Sequence, residues 1–407
     1  MFKLILLFLL PATLIYSQAK TGMWRGVLHL NKEKQIELPF NFDIRINKSN
    51  LPELIIHNAT ERIIVNEISL SKDSFNFKMP VFDTEFRTKL TGDTLLTGVW
   101  INHTKKENNT ILFTASFGNA NRFNSSTQHI SYNTAGKWEV TFSPNTADSS
   151  KAIGIFTHAN NLVTGTFLTE TGDYRYLEGV EEKGKLKISC FDGSHAFLFI
   201  ADASVGTITN GTFYSGSTWS EQWIGIKNET FELRDAEKLT YLKNPNQVIN
   251  FSFKNVIGQT VSLSDEKFKN KVIIVQIMGT WCPNCMDETA YLAKLYKHFN
   301  KKGLEVIGLA YERTSDPEKA KNNILRLKSR FEVDYEILVT GLTGKDKASE
   351  SLPFLNGIMA FPTTLILDRK HIVKTVYTGF NGPATGKAYE NYQVKTENLI
   401  STLLKDQ

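Results

Sequence analysis

The residues of this chain best suited to chemistry are two cysteines three positions apart, Cys282 and Cys285. They sit in Trp281-Cys282-Pro283-Asn284-Cys285, after an apolar run, Val272 to Ile277, and before an amphipathic run, Asp287 to Phe299. The order strand, CxxC, helix places the first cysteine at a helix N-terminus, where unpaired N–H groups and the helix dipole favour an anion. A thiol in that position ionises more readily and becomes a nucleophile near neutral pH. Cys285, one turn into the helix, can close an intramolecular disulfide with it. The pattern is that of a redox dithiol. A zinc site would need a second pair of ligands, and the only other cysteine, Cys190, stands far away in a different kind of sequence, so no metal is expected.

The elements that must hold this dithiol read as an α/β domain over residues 248–407. Phe251 to Phe253 and Thr260 to Leu263 predict a hairpin around Gly258, and Val272 to Met278 a central strand. Leu292, Leu295, Tyr296 and Phe299 give the following helix one apolar face. Lys301-Lys302-Gly303 ends it with favourable charge and a glycine stop. Leu304 to Ala310 predicts a second strand. Asp316-Pro317-Glu318 predicts a helix start, with an N-cap and a first-turn proline. Tyr335 to Val339 predicts a third strand, Thr363 to Leu367 with Ile372 to Tyr377 an antiparallel pair, and Val394 to Leu404 a closing helix. Gly341 to Asp346 is not a phosphate loop, because its spacing is wrong and no Ser or Thr follows Lys345.

Residues 20–235 read differently. Short alternating or apolar runs, such as Ile36 to Ile46 and Leu95 to Ile101, are separated by Asn, Asp, Gly and Ser clusters, which predicts an all-β region. Three landmarks recur in the same order. Gly22-Met23-Trp24 matches Gly136-Lys137-Trp138, Val81-Phe82-Asp83 matches Cys190-Phe191-Asp192, and Gly98-Val99-Trp100 matches Gly211-Thr212-Phe213, at offsets of 114, 109 and 113 residues. Near-constant offsets predict two similar barrel or sandwich modules, residues 20–130 and 131–235, joined by a linker at 236–247 to the α/β domain. Within this scheme Cys190 replaces Val81 and reads as a small core hydrophobe, and Trp24 and Trp138 as core anchors. His195 has no partner identifiable from the sequence and reads as structural.

At 407 residues the chain needs more than one core. Its net charge of +5 is small and scattered, which argues against nucleic acid as a partner. Residues 1–19 read as a cleaved signal peptide: Lys3 precedes an apolar region, Leu4 to Leu10 with Leu14 and Ile15, and Ser17-Gln18-Ala19 offers small residues for cleavage. The alternative is an N-terminal membrane anchor, but Pro11 and Thr13 interrupt the run and it is short for a span. No cysteine follows that stretch, so no lipid anchor is expected. The predicted location is outside the cytosol, in the periplasm.

Residues 248–405 resemble the TlpA/ResA-like thiol:disulfide oxidoreductases of the thioredoxin superfamily. Four features carry the resemblance: the Trp281-Cys282-Pro283-Asn284-Cys285 motif, Glu288, the Phe361-Pro362-Thr363-Thr364 segment, and the extra strand and helix from Leu304 to Phe331. The resemblance implies Cys282 as attacking thiol, Cys285 as resolving thiol, and Glu288 as an acidic residue tuning the thiol pKa values. It implies that Pro362 is a cis-proline facing the dithiol, so that the neighbouring backbone can pair with an extended substrate. Trp281, Pro283, Asn284 and Phe361 are then the substrate-facing residues. Two departures stand out. Ala290 replaces a proline often found two residues after the glutamate, and Gln276 occupies the place of thioredoxin's buried aspartate.

The function these observations predict is an exported thiol:disulfide oxidoreductase, a reductase of protein disulfides, needing no cofactor. Its partners would be a disulfide-containing protein substrate and, by family analogy, a membrane thiol–disulfide electron donor. Two other readings stand beside it. One is a binding or surface protein whose β modules engage an unknown partner, with an ancillary dithiol. The other is a peroxiredoxin-type peroxidase, which needs a lone thiolate framed by Thr and Arg rather than a CxxC beside a tryptophan.

Overall fold

The computed structural model describes residues 19–123, 132–245 and 247–406. The expected leader, apart from Ala19, lies outside the described residues. Among the described residues, no helix is long and apolar enough to cross a membrane.

The all-β expectation holds over both halves of the N-terminal region. Nine antiparallel strands between Gly22 and Phe117 form one sheet; numbered along the chain, they lie in the order 4-3-2-1-9-8-7-6-5. Nine more between Gly136 and Lys227 form a second sheet ordered 2-1-9-8-7-6-5-3-4, in which strands two and three also pair. That extra pairing closes the second sheet into a barrel, whereas no pairing joins the end strands of the first among the described residues. In both sheets the first strand pairs with the second and the ninth. Trp24 and Trp138 occupy the first strand of each sheet. Both are buried, and each indole Nε1 donates to a carbonyl four residues earlier, Lys20 O at 2.9 Å and Thr134 O at 2.8 Å.

The two sheets do not keep separate cores. Phe191, at the end of the strand Lys185–Phe191, leaves the barrel interior and packs in the core of the first sheet. Its ring lies 4.7 Å from that of Phe40 and 5.4 Å from that of Trp100, centre to centre. Leu198 joins it there. Cys190 points the other way, into the barrel, fully buried among Ile188, Phe199 and their neighbours. Alternation along one strand thus feeds two cores from its two faces.

The C-terminal domain is a seven-stranded mixed sheet. Its order is Thr260–Ser262, Ser252–Asn255, Glu336–Val339, Leu304–Ala310, Val272–Met278, Thr363–Leu367, Val373–Thr378. Val272–Met278 is central and buried at every position, as expected of a strand covered on both faces. It runs parallel to Leu304–Ala310 and antiparallel to Thr363–Leu367. Four helices flank the sheet: α1 (Pro283–Phe299), α2 (Pro317–Phe331), α3 (Gly344–Ser351) and α4 (Lys387–Lys405). Asp316 caps α2 by accepting from the N–H groups of Glu318 and Lys319.

Two helical segments depart from the sequence expectation. Helix α3 has one buried residue, Ala348, and carries no apolar periodicity to announce it. Helix α4 begins at Lys387 rather than Val394, and its early turns bury Tyr392 against the rings of Tyr377 and Phe380. The segment after Leu239 is tied to the C-terminal domain: Thr240 N–H donates to Thr378 Oγ1, and Lys243 N–H to Phe354 O.

Candidate active site

The site is built at the C-terminal end of Val272–Met278. The chain leaves that strand at Gly279 and enters α1 at Pro283. Cys282 is the N-cap of α1, and its sulfur accepts from the N–H of Cys285 at 3.2 Å. A sulfur so placed sits at the positive end of the helix, where a thiolate is stabilised. Cys282 and Cys285 are joined as a disulfide with their Cα atoms 5.2 Å apart. Cys282 is 6% exposed and Cys285 is fully buried, so reagents reach the pair through Cys282.

The peptide bond between Phe361 and Pro362 is cis, and Phe361 O lies 3.5 Å from Cys282 Sγ. Trp281 is anchored from several sides. Its Nε1 donates to Tyr311 O at 2.9 Å, its ring meets Phe361 edge-on, and the Arg313 guanidinium covers one face at 3.8 Å. The loop before it is held by Glu312, which accepts from both the N–H and the hydroxyl of Thr280.

Glu288 is fully buried beneath the dithiol and is not a solvated first-turn residue. Its carboxylate accepts from Gln276 Nε2 at 2.9 Å, Thr364 Oγ1 at 2.8 Å and Tyr392 OH at 3.1 Å. Burial raises its pKa to about 7, against the three donors, which favour the ionised form. Gln276 Nε2 also reaches the carbonyl of Cys285, at 3.3 Å, so the amide bridges the carboxylate to the resolving cysteine's backbone.

The N-terminal region completes the site, which the sequence did not foretell. Asn284 Nδ2 donates to Asp173 O at 3.3 Å, in the closed barrel, and to Phe380 O at 3.2 Å. Gly172 has φ +143°, and a Cβ there would lie 2.3 Å from Asn284 Nδ2, so only glycine allows this approach. Ser194 Oγ donates to Trp281 O at 3.2 Å. Arg175 is buried and faces three carboxylates drawn from three parts of the chain: Glu61 at 2.5 Å, Asp192 at 3.3 Å, and Asp287, two residues beyond Cys285. It also donates to Pro283 O. Burial works to lower the Arg175 pKa but is outweighed by these carboxylates, so the guanidinium stays charged. Burial raises Asp287 to about 7 against the pull of Arg175. Val81 and Met286 share one core with both active-site cysteines.

A cleft of about 250 Å³ opens beside Cys282. One wall is Trp281, Pro283, Asn284 and Phe361; the barrel forms the other with Tyr174, His195 and Phe197 among its residues. The four residues expected to face substrate therefore share one cleft with Cys282, while Glu288 and Cys285 lie beneath it. His195, for which the sequence offered no identifiable partner, is paired with Asp192, Nδ1 to Oδ2 at 3.1 Å. The sequence signal was local, a histidine three residues after an aspartate, but nothing there tied it to the dithiol.

A thioredoxin-like domain carrying a helix-capping dithiol opposite a cis-proline is what this fold and site define. Residues 243–392 match the Redoxin family model. Thioredoxin-like protein YneN of Bacillus subtilis is 26% identical over 144 residues, covering 35% of this chain and 76% of that protein. Thiol-disulfide oxidoreductase ResA of Bacillus cereus is 26% identical over 146 residues, covering 36% of this chain and 74% of that protein. A thiol:disulfide interchange protein of the thioredoxin family from Chlorobium tepidum aligns with 40% of this chain and 97% of its own, at 19% identity and a TM-score of 0.31. The C-terminal domain is similar to the ResA-like thiol-disulfide oxidoreductases. The chain is thus a thioredoxin-like oxidoreductase with an all-β N-terminal region.

Proposed function

We propose that the protein is an exported reductase of protein disulfides that works through Cys282 and Cys285. The observation that carries this reading is a helix-capping Cys282 sulfur in contact with the Phe361 carbonyl, the two residues lining one open cleft. The Cys282 thiolate attacks a substrate disulfide and forms a mixed disulfide. Cys285 then attacks Cys282, the second substrate thiol leaves, and the protein is left oxidised. The backbone at Phe361 pairs with an extended substrate segment, with Trp281, Pro283 and Asn284 beside it. Glu288, buried one turn beyond Cys285 on the same helix, is the local carboxyl that takes up the Cys285 proton; its pKa of about 7 suits proton exchange near neutrality. Export rests on the leader read in residues 1–19, and a membrane thiol–disulfide partner that re-reduces the dithiol rests on the family resemblance.

The test is reduction of insulin by the full-length protein, regenerated with dithiothreitol. Precipitation of the freed B chain well above the dithiothreitol background is expected, and its loss in Cys282→Ala. A rate equal to background would overturn the proposal.

A further inference from the structure

His195 belongs to the barrel, yet it lines the same cleft as Cys282. The placement is fixed at both ends. Ser194, the residue before His195, donates to the carbonyl of Trp281, the residue before Cys282, at 3.2 Å. The imidazole stacks on Phe197 with ring centres 4.3 Å apart and planes at 18°. Its Nδ1 meets Asp192 Oδ2 at 3.1 Å, and Asp192 Oδ1 accepts from the N–H groups of Ser194 and His195 at 2.8 and 2.7 Å. Asp192 is 2% exposed, and Arg175 stands 3.3 Å from its Oδ2. Burial pushes the Asp192 pKa up, but His195 and Arg175 outweigh it, and the carboxylate stays ionised. A carboxylate on Nδ1 fixes the orientation of the imidazole and leaves Nε2 as the ring nitrogen that exchanges a proton. The side chain is 31% exposed, so solvent can restore the proton.

We infer that His195 is a catalytic acid of the dithiol reaction, supplied by the barrel to the thiol that departs from the substrate. This rests on the oxidoreductase reading above. In the first step Cys282 Sγ⁻ forms a bond to one substrate sulfur and the substrate S–S bond breaks. The bonding pair goes to the second sulfur, which takes the Nε2 proton of the His195 imidazolium and leaves as a thiol. His195 is left neutral and recovers a proton from solvent. Over the full cycle the substrate disulfide gains two electrons and the dithiol loses two. The assignment gives the barrel a part in the chemistry: it assists most those disulfides whose leaving thiol is weakly acidic.

The experiment compares two disulfides with different leaving groups in single-turnover reaction with reduced full-length protein. Glutathione disulfide releases an alkyl thiol, with a pKa near the free cysteine value of about 8.5, and gains from an acid. The aryl disulfide 5,5′-dithiobis(2-nitrobenzoate) releases a much more acidic thiol that needs none. His195→Gln and His195→Phe, the second keeping the stack on Phe197, should each slow the glutathione reaction by about tenfold or more and the aryl reaction by less than about twofold. Equal slowing of both disulfides, or no slowing of either, would overturn the assignment while leaving the dithiol reading intact. If the wild-type protein reduces neither disulfide, both readings fall.

Discussion

Replacing Glu288 by glutamine tests whether burial governs the carboxyl beneath the dithiol. The glutamate titrates near 4.5 in the unfolded chain and near about 7 in the folded protein. The folded state therefore holds the proton more tightly. At pH values well below 4.5 both states are protonated; well above 7 both are ionised; between these limits stability falls as pH rises. A displacement from 4.5 to about 7, at about 1.36 kcal/mol for each pH unit, amounts to about 3 kcal/mol. The amide of Glu288→Gln does not titrate, so the variant lacks this loss. Its oxygen can still accept from Gln276 Nε2 while its nitrogen donates to the Thr364 and Tyr392 hydroxyl oxygens, so the loss of the charge-assisted bonds costs about 1–3 kcal/mol. That cost does not depend on pH. The stability difference between variant and wild type should thus move by about 3 kcal/mol in the variant's favour between about pH 4 and about pH 8. Urea unfolding of the oxidised proteins measures it, because a closed disulfide removes the thiols from the titration. Asp287, raised to about 7 as well, is common to both proteins and cancels. Parallel pH profiles, agreeing to within about 0.5 kcal/mol, would refute the reasoning and return Glu288 to an ordinary carboxylate.

Three further outcomes follow from the geometry. Alkylation of the reduced native protein with iodoacetamide should modify Cys282 alone, since Cys285 and Cys190 are fully buried and burial raises the Cys190 thiol well above its ordinary value; peptide mapping reads this directly. Arg175→Met should cost about 3–5 kcal/mol in denaturant unfolding, because Glu61, Asp192 and Asp287 would be left facing one another without their shared cation. Gly172→Ala should displace Asn284 from the barrel and speed Cys282 alkylation in the reduced protein by several-fold, measured against wild type; an unchanged rate would mean that the barrel does not limit access to the dithiol.

Local features were legible in the sequence, and long-range ones were not. The strands Val272–Met278 and Leu304–Ala310 and the start of α2 at Asp316-Pro317 follow from unbroken apolar runs and cap chemistry, and they fall where the residues place them. The dithiol and its helix lie within one short segment, so their geometry is local too. Arg175 is different: its partners stand at positions 61, 192 and 287, and no periodicity links them. Phe191 ends a strand of the second sheet yet fills the core of the first, against Phe40 and Trp100, partners about 150 and 90 residues away that no local pattern announces. Helix α3 escaped because seven of its eight residues stay out of the core. Glu288 shows the same limit at the site itself. Its spacing from Cys285 was plain, but its burial depends on Thr364 and Tyr392, 76 and 104 residues away.

The central claim is that Cys282 attacks and Cys285 resolves. Mass spectrometry of reduced full-length Cys285→Ala, incubated with a disulfide-bonded protein such as insulin, tests it most directly. The account predicts a stable mixed disulfide located on Cys282, with no such adduct in Cys282→Ala. An adduct on Cys190, or none on Cys282, would contradict it.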